Sequence, residues 1–262
     1  MRTMTQGRMR IWLCCLLLPV LMWTRNLSAA PVEHLFQAEV PVSDQGVGER
    51  AGAVRDALTE VLVRLTGERD VAQQPVAADL LKDSDRFVQQ YRYRREPPPD
   101  AGAQASALWL WVRFDARGIE RAVRRAGLPL WGRERPLTLI WLAVQDGDQR
   151  YLVASDADSD LRRTVEREAR RRGVPVLFPL LDLEDQARVQ FPDVWGGFVD
   201  MVTDASKRYH APDVLIGRLA HNAGGGWSAR WTMELDGDEI NWVASDASVD
   251  TVLAAGVDGA AD

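Results

Sequence analysis

From Leu137 onward the chain alternates short apolar runs with amphipathic stretches, and that alternation narrows the possible folds more than any other feature of the sequence. Leu137 to Val144 reads as a buried strand, Asp146-Gly147-Asp148 as a tight turn, and Arg150 to Ala154 as the return strand. Ser159 stands where a helix to Arg172 needs its cap, and Val174 to Phe178 is strand-like again. Pro192 opens a helix through Tyr209, with Val194, Phe198, Val202 and Ala205 inward, and Asp213 to Leu219 forms the next strand. Parallel neighbours need a long crossover, usually a helix, so this order predicts an α/β unit with a mixed sheet. A two-strand antiparallel meander closes it. Trp227, Ala229, Trp231 and Met233 alternate with polar residues, and Asp236-Gly237-Asp238 turns the chain into Ile240, Trp242 and Ala244.

The preceding hundred residues predict a smaller α/β unit of α+β character. Glu33 to Val42 is strand-like, and Ala51, Val54, Leu58, Val61, Leu62 and Leu65 recur at helical spacing before Gly67. A short helix follows near Val76 to Lys82, then a strand over Phe87 to Arg94. Pro97, Pro98 and Pro99 impose a loop, because they remove backbone donors and extend the residues before them. Leu108 to Phe114 is apolar at nearly every position and predicts a central strand covered on both faces. Arg117 to Ala126 completes a β-α-α-β-β-α order, and Trp131 to Pro136 reads as a hinge. The expected division is 1–30 leader, 31–130 first unit and 131–262 second unit. Val249, Val252 and Leu253 begin a weak helical pattern that Asp262 cuts short, so the second unit is expected to be truncated.

The leader is an export signal by its pattern. Arg2, Arg8 and Arg10 precede an apolar run from Ile11 to Trp23, and Ser28, Ala29 and Ala30 supply small residues for cleavage after Ala29 or Ala30. Thirteen apolar residues fall short of the roughly 20 that a membrane span needs, so no stable span is expected in the mature chain. An uncleaved leader would leave the protein membrane-associated. Cys14 and Cys15 are the two cysteines of the chain and both sit in the leader, which excludes disulfide, zinc-thiolate and Cys-nucleophile chemistry from the mature protein. Removing four arginines with the leader leaves 28 basic against 38 acidic residues, a net charge of −10. That balance argues against nucleic-acid binding by phosphate neutralisation.

Motifs for chemistry are few. His34, His210 and His221 show no metal-ligand spacing, and nucleophile elbows, phosphate loops and dinucleotide-binding glycine turns are missing. Asp156-Ala157-Asp158-Ser159-Asp160 opens like a calcium loop, but Leu161 and Arg167 stand where that loop needs Gly and Glu. No metal or other cofactor is therefore expected. The best candidate site is Asp182, Glu184 and Asp185 at the carboxyl end of a predicted strand, where paired carboxylates suit acid–base work or a divalent cation. Asp193, Trp195, Gly196 and Gly197 join it, because two glycines in a helical pattern imply that something approaches the backbone closely. Trp131 and Trp195 are the tryptophans to examine for exposure and glycan stacking.

Several segments carry a resemblance: Val61 to Gly67, Tyr91-Arg92-Tyr93, Gly127 to Trp131, Pro179 to Asp185, Asp193 to Phe198 and Val214 to Leu219. Through them the chain resembles the proteobacterial exported family catalogued as domain of unknown function 2066 (DUF2066). The resemblance implies residence in the periplasm of a Gram-negative bacterium and assigns no catalytic residues. Together these readings predict a non-enzymatic envelope adaptor that binds protein partners. The alternatives are an envelope hydrolase or metal-dependent enzyme built on Asp182, Glu184 and Asp185, and a glycan binder using exposed tryptophan.

Overall fold

A computed structural model of the protein describes residues 29–31, 34–96, 107–235 and 237–262. The leader up to residue 28 and most of the proline loop lie outside the described residues. The α/β class expected from the sequence is what the structure shows: among the described residues, a three-stranded and a six-stranded sheet, each packed on its own apolar clusters, and a small two-stranded ladder.

Strand β1 (Ala29–Pro31) is followed by β2 (Gln37–Val42) and the long helix α1 (Val47–Thr66). Val54, Leu58, Val61, Leu62 and Leu65 form the buried stripe of α1. Gly67 ends the helix at φ 78°, a left-handed conformation that costs glycine nothing, and its N–H closes on the Val63 carbonyl. Helix α2 (Pro75–Lys82), strands β3 (Val88–Glu96) and β4 (Ala107–Phe114), and helix α3 (Ala116–Arg125) complete the unit. Its antiparallel sheet runs β2-β4-β3. Strand β4 is central but covered on one face only, contrary to the expectation of double cover. Leu110, Val112 and Phe114 join the core under all three helices. Trp109 and Trp111 occupy the opposite face, half-buried, where the Arg92 and Arg113 guanidiniums lie 4.5 and 5.3 Å from the Trp111 ring. Cations rather than a helix shield that indole.

The segment read as a hinge is pinned. Its strand β5 (Glu134–Pro136) pairs antiparallel with β1, and the Trp131 N–H donates to the Leu65 carbonyl at 2.6 Å. Arg135 is fully buried, with its guanidinium 3.8 Å from the Trp131 ring centre.

Beyond it come β6 (Thr138–Asp146), β7 (Gln149–Leu152), α4 (Asp160–Arg172), β8 (Val176–Leu177), α5 (Leu183–Arg188), α6 (Phe191–Gly196), α7 (Val199–Ser206), β9 (Asp213–His221), β10 (Trp227–Leu235), β11 (Asp238–Asp246) and α8 (Val249–Ala261). The sheet runs β11-β10-β9-β6-β7, with β8 also on β6. Strands β8 and β9 lie parallel to β6, and the remaining pairs are antiparallel. Ile140, Leu142, Leu215 and Trp231 pack against the α4 and α8 side, while Leu139, Trp141, Val214 and Ile216 pack against α6 and α7. Strand β6 is therefore buried on both faces, as its unbroken apolar run requires.

Two local expectations change and a third is sharpened. The single helix expected from Pro192 to Tyr209 is broken at Gly197, which adopts φ 74° and ends α6. Ser159 does stand at the start of α4, but its hydroxyl makes no capping bond. Arg163 instead pairs with Asp158 and Asp160, so those acids serve the helix terminus. The weak pattern after Val249 is a thirteen-residue helix docked on β10, β11 and α4. Among the described residues no helix is long and apolar enough to cross a membrane.

Candidate functional site

Asp182, Glu184 and Asp185 do come together, around one cation. Asp182 precedes α5 and its carboxylate accepts the N–H groups of Glu184 and Asp185, which stops the chain from extending and starts the helix. Arg208, just after α7, donates from both terminal nitrogens to Asp182 at 2.7 and 2.8 Å, a two-pronged pair, and from Nη1 to Asp185 at 2.9 Å. Glu184 stands 3.7 Å from the same guanidinium and 3.3 Å from Arg188.

Asp185 is fully buried and every part of its carboxylate is used. It accepts the Leu181 N–H at 2.9 Å and the Tyr209 hydroxyl at 2.5 Å, besides Arg208. Tyr209 in turn accepts the Leu180 N–H at 2.8 Å. Between these anchors Leu181 takes φ 51°, a left-handed conformation unusual for a branched side chain, and the Gln186 amide caps its carbonyl at 2.6 Å. A strained residue held by three neighbours marks this turn as one whose shape is maintained against a local cost of about 1–3 kcal/mol.

Electrostatics follow the geometry. Hydrogen bonds from Arg208, then from the Asp185 N–H, hold the Asp182 carboxyl well below the usual carboxylate range. Such a group stays ionised, the reverse of what a general acid needs. Burial and the bond to Asp185 push the Tyr209 phenol up to about 12. The Asp182 contribution to stability is present above its unfolded value near 4 and is lost as pH falls through the lower folded value. Asp182→Ala should accordingly flatten the acid limb of a plot of urea midpoint against pH below about 4. For Tyr209 the sign reverses: the neutral phenol stabilises the fold below its unfolded value near 10, and the effect fades as pH rises through about 12. An ultraviolet titration should show a phenol ionising near pH 12, absent in Tyr209→Phe.

Asp193, Trp195, Gly196 and Gly197 form the end of α6 rather than a second pole of the acidic cluster. Asp193 accepts the Gln190 N–H at 2.8 Å in a reciprocal capping arrangement, and half-buried Trp195 stacks on Phe191 with ring centres 5.3 Å apart. The close neighbour implied by the two glycines is Arg218: a Cβ added at Gly197 would stand 2.7 Å from its Nη1. Gly197→Ala should cost about 1–2 kcal/mol in urea unfolding, chiefly because the left-handed conformation disfavours any Cβ. Trp131 lies under Arg135, so neither tryptophan singled out for exposure is open on both faces.

A shallow cleft of about 360 Å³ opens beside this turn, lined by Leu152, Leu181, Gln186, Val189, Phe191 and Pro192. Four large apolar side chains on the same helical layer stay out in solvent: Leu180, Leu183, Phe198 and Met201, at 53, 86, 56 and 46% exposure. Among the described residues no group of three or more His, Cys, Asp or Glu could hold a metal ion. Sequence reasoning found the acids but missed Arg208 and Tyr209, which lie some twenty-five residues on in a Lys-Arg-Tyr-His run whose periodicity gives no hint of them.

Comparison with known families gives one result. Residues 29–132 match the family described as Domain of unknown function (DUF8605). The match spans the first sheet with its three helices and ends in the pinned segment before β5. No match to DUF2066 is found, and this overturns the resemblance drawn above. Three of the segments that carried it are solutions to helix ends: Gly67 closes α1, Asp182 caps α5 and Gly197 stops α6. Such short runs recur wherever a helix must start or stop. Nothing among curated proteins matches the chain.

Proposed function

We propose that the protein is exported to the bacterial envelope and works there as a non-enzymatic adaptor that binds another protein through its α5–α7 layer. The observation that carries this reading is the pinned turn at Leu181. Asp185, which is buried, and the partly buried Tyr209 and Arg208 hold a strained backbone whose neighbours, Leu180 and Leu183, face solvent. Exposed apolar groups on a preorganised base lose little entropy on binding, which is what a protein-docking surface requires. The leader pattern supports the compartment.

The test is capture from solubilised membranes by the tagged mature chain, run beside Leu183→Asp/Phe198→Asp and a control, Ile240→Asp. Wild type and control should recover the same envelope protein, and the double variant should lose it. Both surface changes should leave stability within about 0.5 kcal/mol, so unfolding does not confuse the result. Recovery of nothing above background by wild type, or equal recovery by the double variant, rejects the reading. Fractionation tests the compartment separately: full-length, uncleaved protein in the cytosol rejects export.

A further inference from the structure

A second cleft, of about 450 Å³, lies in the first unit, remote in sequence from the α5–α7 layer. Three arginines from three different elements line it: Arg113 at the end of β4, Arg117 in the first turn of α3 and Arg133 from the pinned segment. Arg133 is tied down, pairing with Glu120 at 3.2 Å and lying 5.2 Å from the Phe36 ring. Among the described residues neither Arg113 nor Arg117 has a carboxylate partner. The one acid in the lining, Asp115, is occupied with capping α3, where it accepts the Arg117 N–H at 3.1 Å. Ala116, the first residue of that ten-residue helix, also lines the cleft, so the positive end of the helix adds to the guanidiniums.

The backbone around the cleft is shaped irregularly at two independent places. His34 takes φ 64°, and Gln89 is the extra residue of a bulge in β3 where the register shifts between Val88 and Gln90. Bulges re-aim side chains out of the regular ladder, and here the bulged residue lines the cleft beside Gln37. Arg113, whose guanidinium also lies 5.3 Å from the Trp111 ring, and Arg117 place two positive charges at one cleft without a carboxylate partner among the described residues, and an anion there would relieve their repulsion. Planar guanidiniums match the two oxygens of a carboxylate or phosphate, and the glutamine amides add neutral donors.

We infer that this cleft binds an oxyanion, a phosphate or carboxylate group carried by a small ligand, with Arg113 and Arg117 as its principal donors. The site is separate from the proposed protein-docking layer, and neither reading depends on the other.

Calorimetric titration of the purified mature chain at fixed ionic strength tests it, with inorganic phosphate in one arm and citrate in the other. Saturable binding of at least one anion is expected. Arg113→Gln/Arg117→Gln should weaken it by roughly tenfold or more, since each charge-assisted bond contributes about a factor of ten. Arg113→Lys, which keeps charge but loses the fork, should fall between. Arg150→Gln, an exposed arginine in the second unit, should bind as wild type does. Binding of phosphate alone assigns a phosphate group, and binding of citrate alone assigns a carboxylate. Failure of wild type to bind either anion, or unchanged affinity in the double variant, overturns the inference. A circular-dichroism melt of each variant verifies the fold, and Arg117→Gln alone serves if the double variant does not fold.

Discussion

Arg135→Ala is expected to lower global stability by about 3–5 kcal/mol, the largest effect of any single substitution in the junction between the two sheets. The side chain is fully buried and, among the described residues, meets no carboxylate. Its Nη2 donates to the Arg64 carbonyl at 2.5 Å, its Nη1 to the Arg172 and Gly173 carbonyls at 3.3 and 2.6 Å, and its Nε to the Gly132 carbonyl at 3.0 Å. The Arg64, Arg172 and Gly173 carbonyls lie at the C-terminal ends of α1 and α4, where the last turn leaves acceptors unpaired and the helix dipole is negative. Two helix ends thus supply the counter-charge. Burial, with Arg64 and Arg172 close by, pushes the guanidinium down to about 10, and it still carries its charge at neutral pH. Alanine would strand several acceptors at once and leave Trp131 without its stacking partner. Arg135→Lys keeps a charge but cannot reach helices on opposite sides, so it should recover less than half of the loss. Urea unfolding followed by circular dichroism and tryptophan fluorescence measures both; a loss under 1 kcal/mol for alanine would show that the junction is held by something else.

Asp185→Ala should cost about 3 kcal/mol, because the Leu181 N–H, the Arg208 guanidinium and the Tyr209 hydroxyl all lose a buried acceptor together. Asparagine should do little better: whichever way its amide turns, its nitrogen meets a donor, the Arg208 guanidinium on one side or the Leu181 N–H on the other. A second consequence separates this substitution from a merely destabilising one. Without Asp185 the left-handed turn at Leu181 keeps only the Gln186 cap and the bond from Leu180 to Tyr209, so Leu180 and Leu183 would be held less firmly. Capture of the partner should therefore fail in Asp185→Asn under conditions where circular dichroism shows the chain still folded. Retained capture would mean that the network serves stability alone.

How much of this was legible in the sequence depends on the range over which each feature is determined. Helix α1 and the β10–β11 meander follow from local periodicity, 3.6 in one case and 2 in the other, and each has a stop or turn residue within a few positions. Strand β4 was misjudged because tryptophan counts as apolar in a pattern, whereas Arg92, on a neighbouring strand, covers Trp111 by a contact no local window contains. The break after α6 was visible as Gly196-Gly197, but its meaning was not: the helix ends there, and Arg218 of β9 occupies the space that a side chain would take. Asp182 and Asp185 stood out as unusual acids. That they answer Arg208 follows only from the packing of α5 on the end of α7.

The glycines of α8 made its pattern weak and are also what lets it dock. A Cβ at Gly256 would come within 2.4 Å of the buried Trp231 indole, and one at Gly259 within 2.4 Å of Trp242. The two indoles thus sit in notches one helical turn apart, and a helix shifted along its axis would drive a side chain into one ring or the other. The last helix carries its own positional code: it can rest on the sheet at one axial setting, with Asp258 and Asp262 then in reach of Arg172 and Arg69.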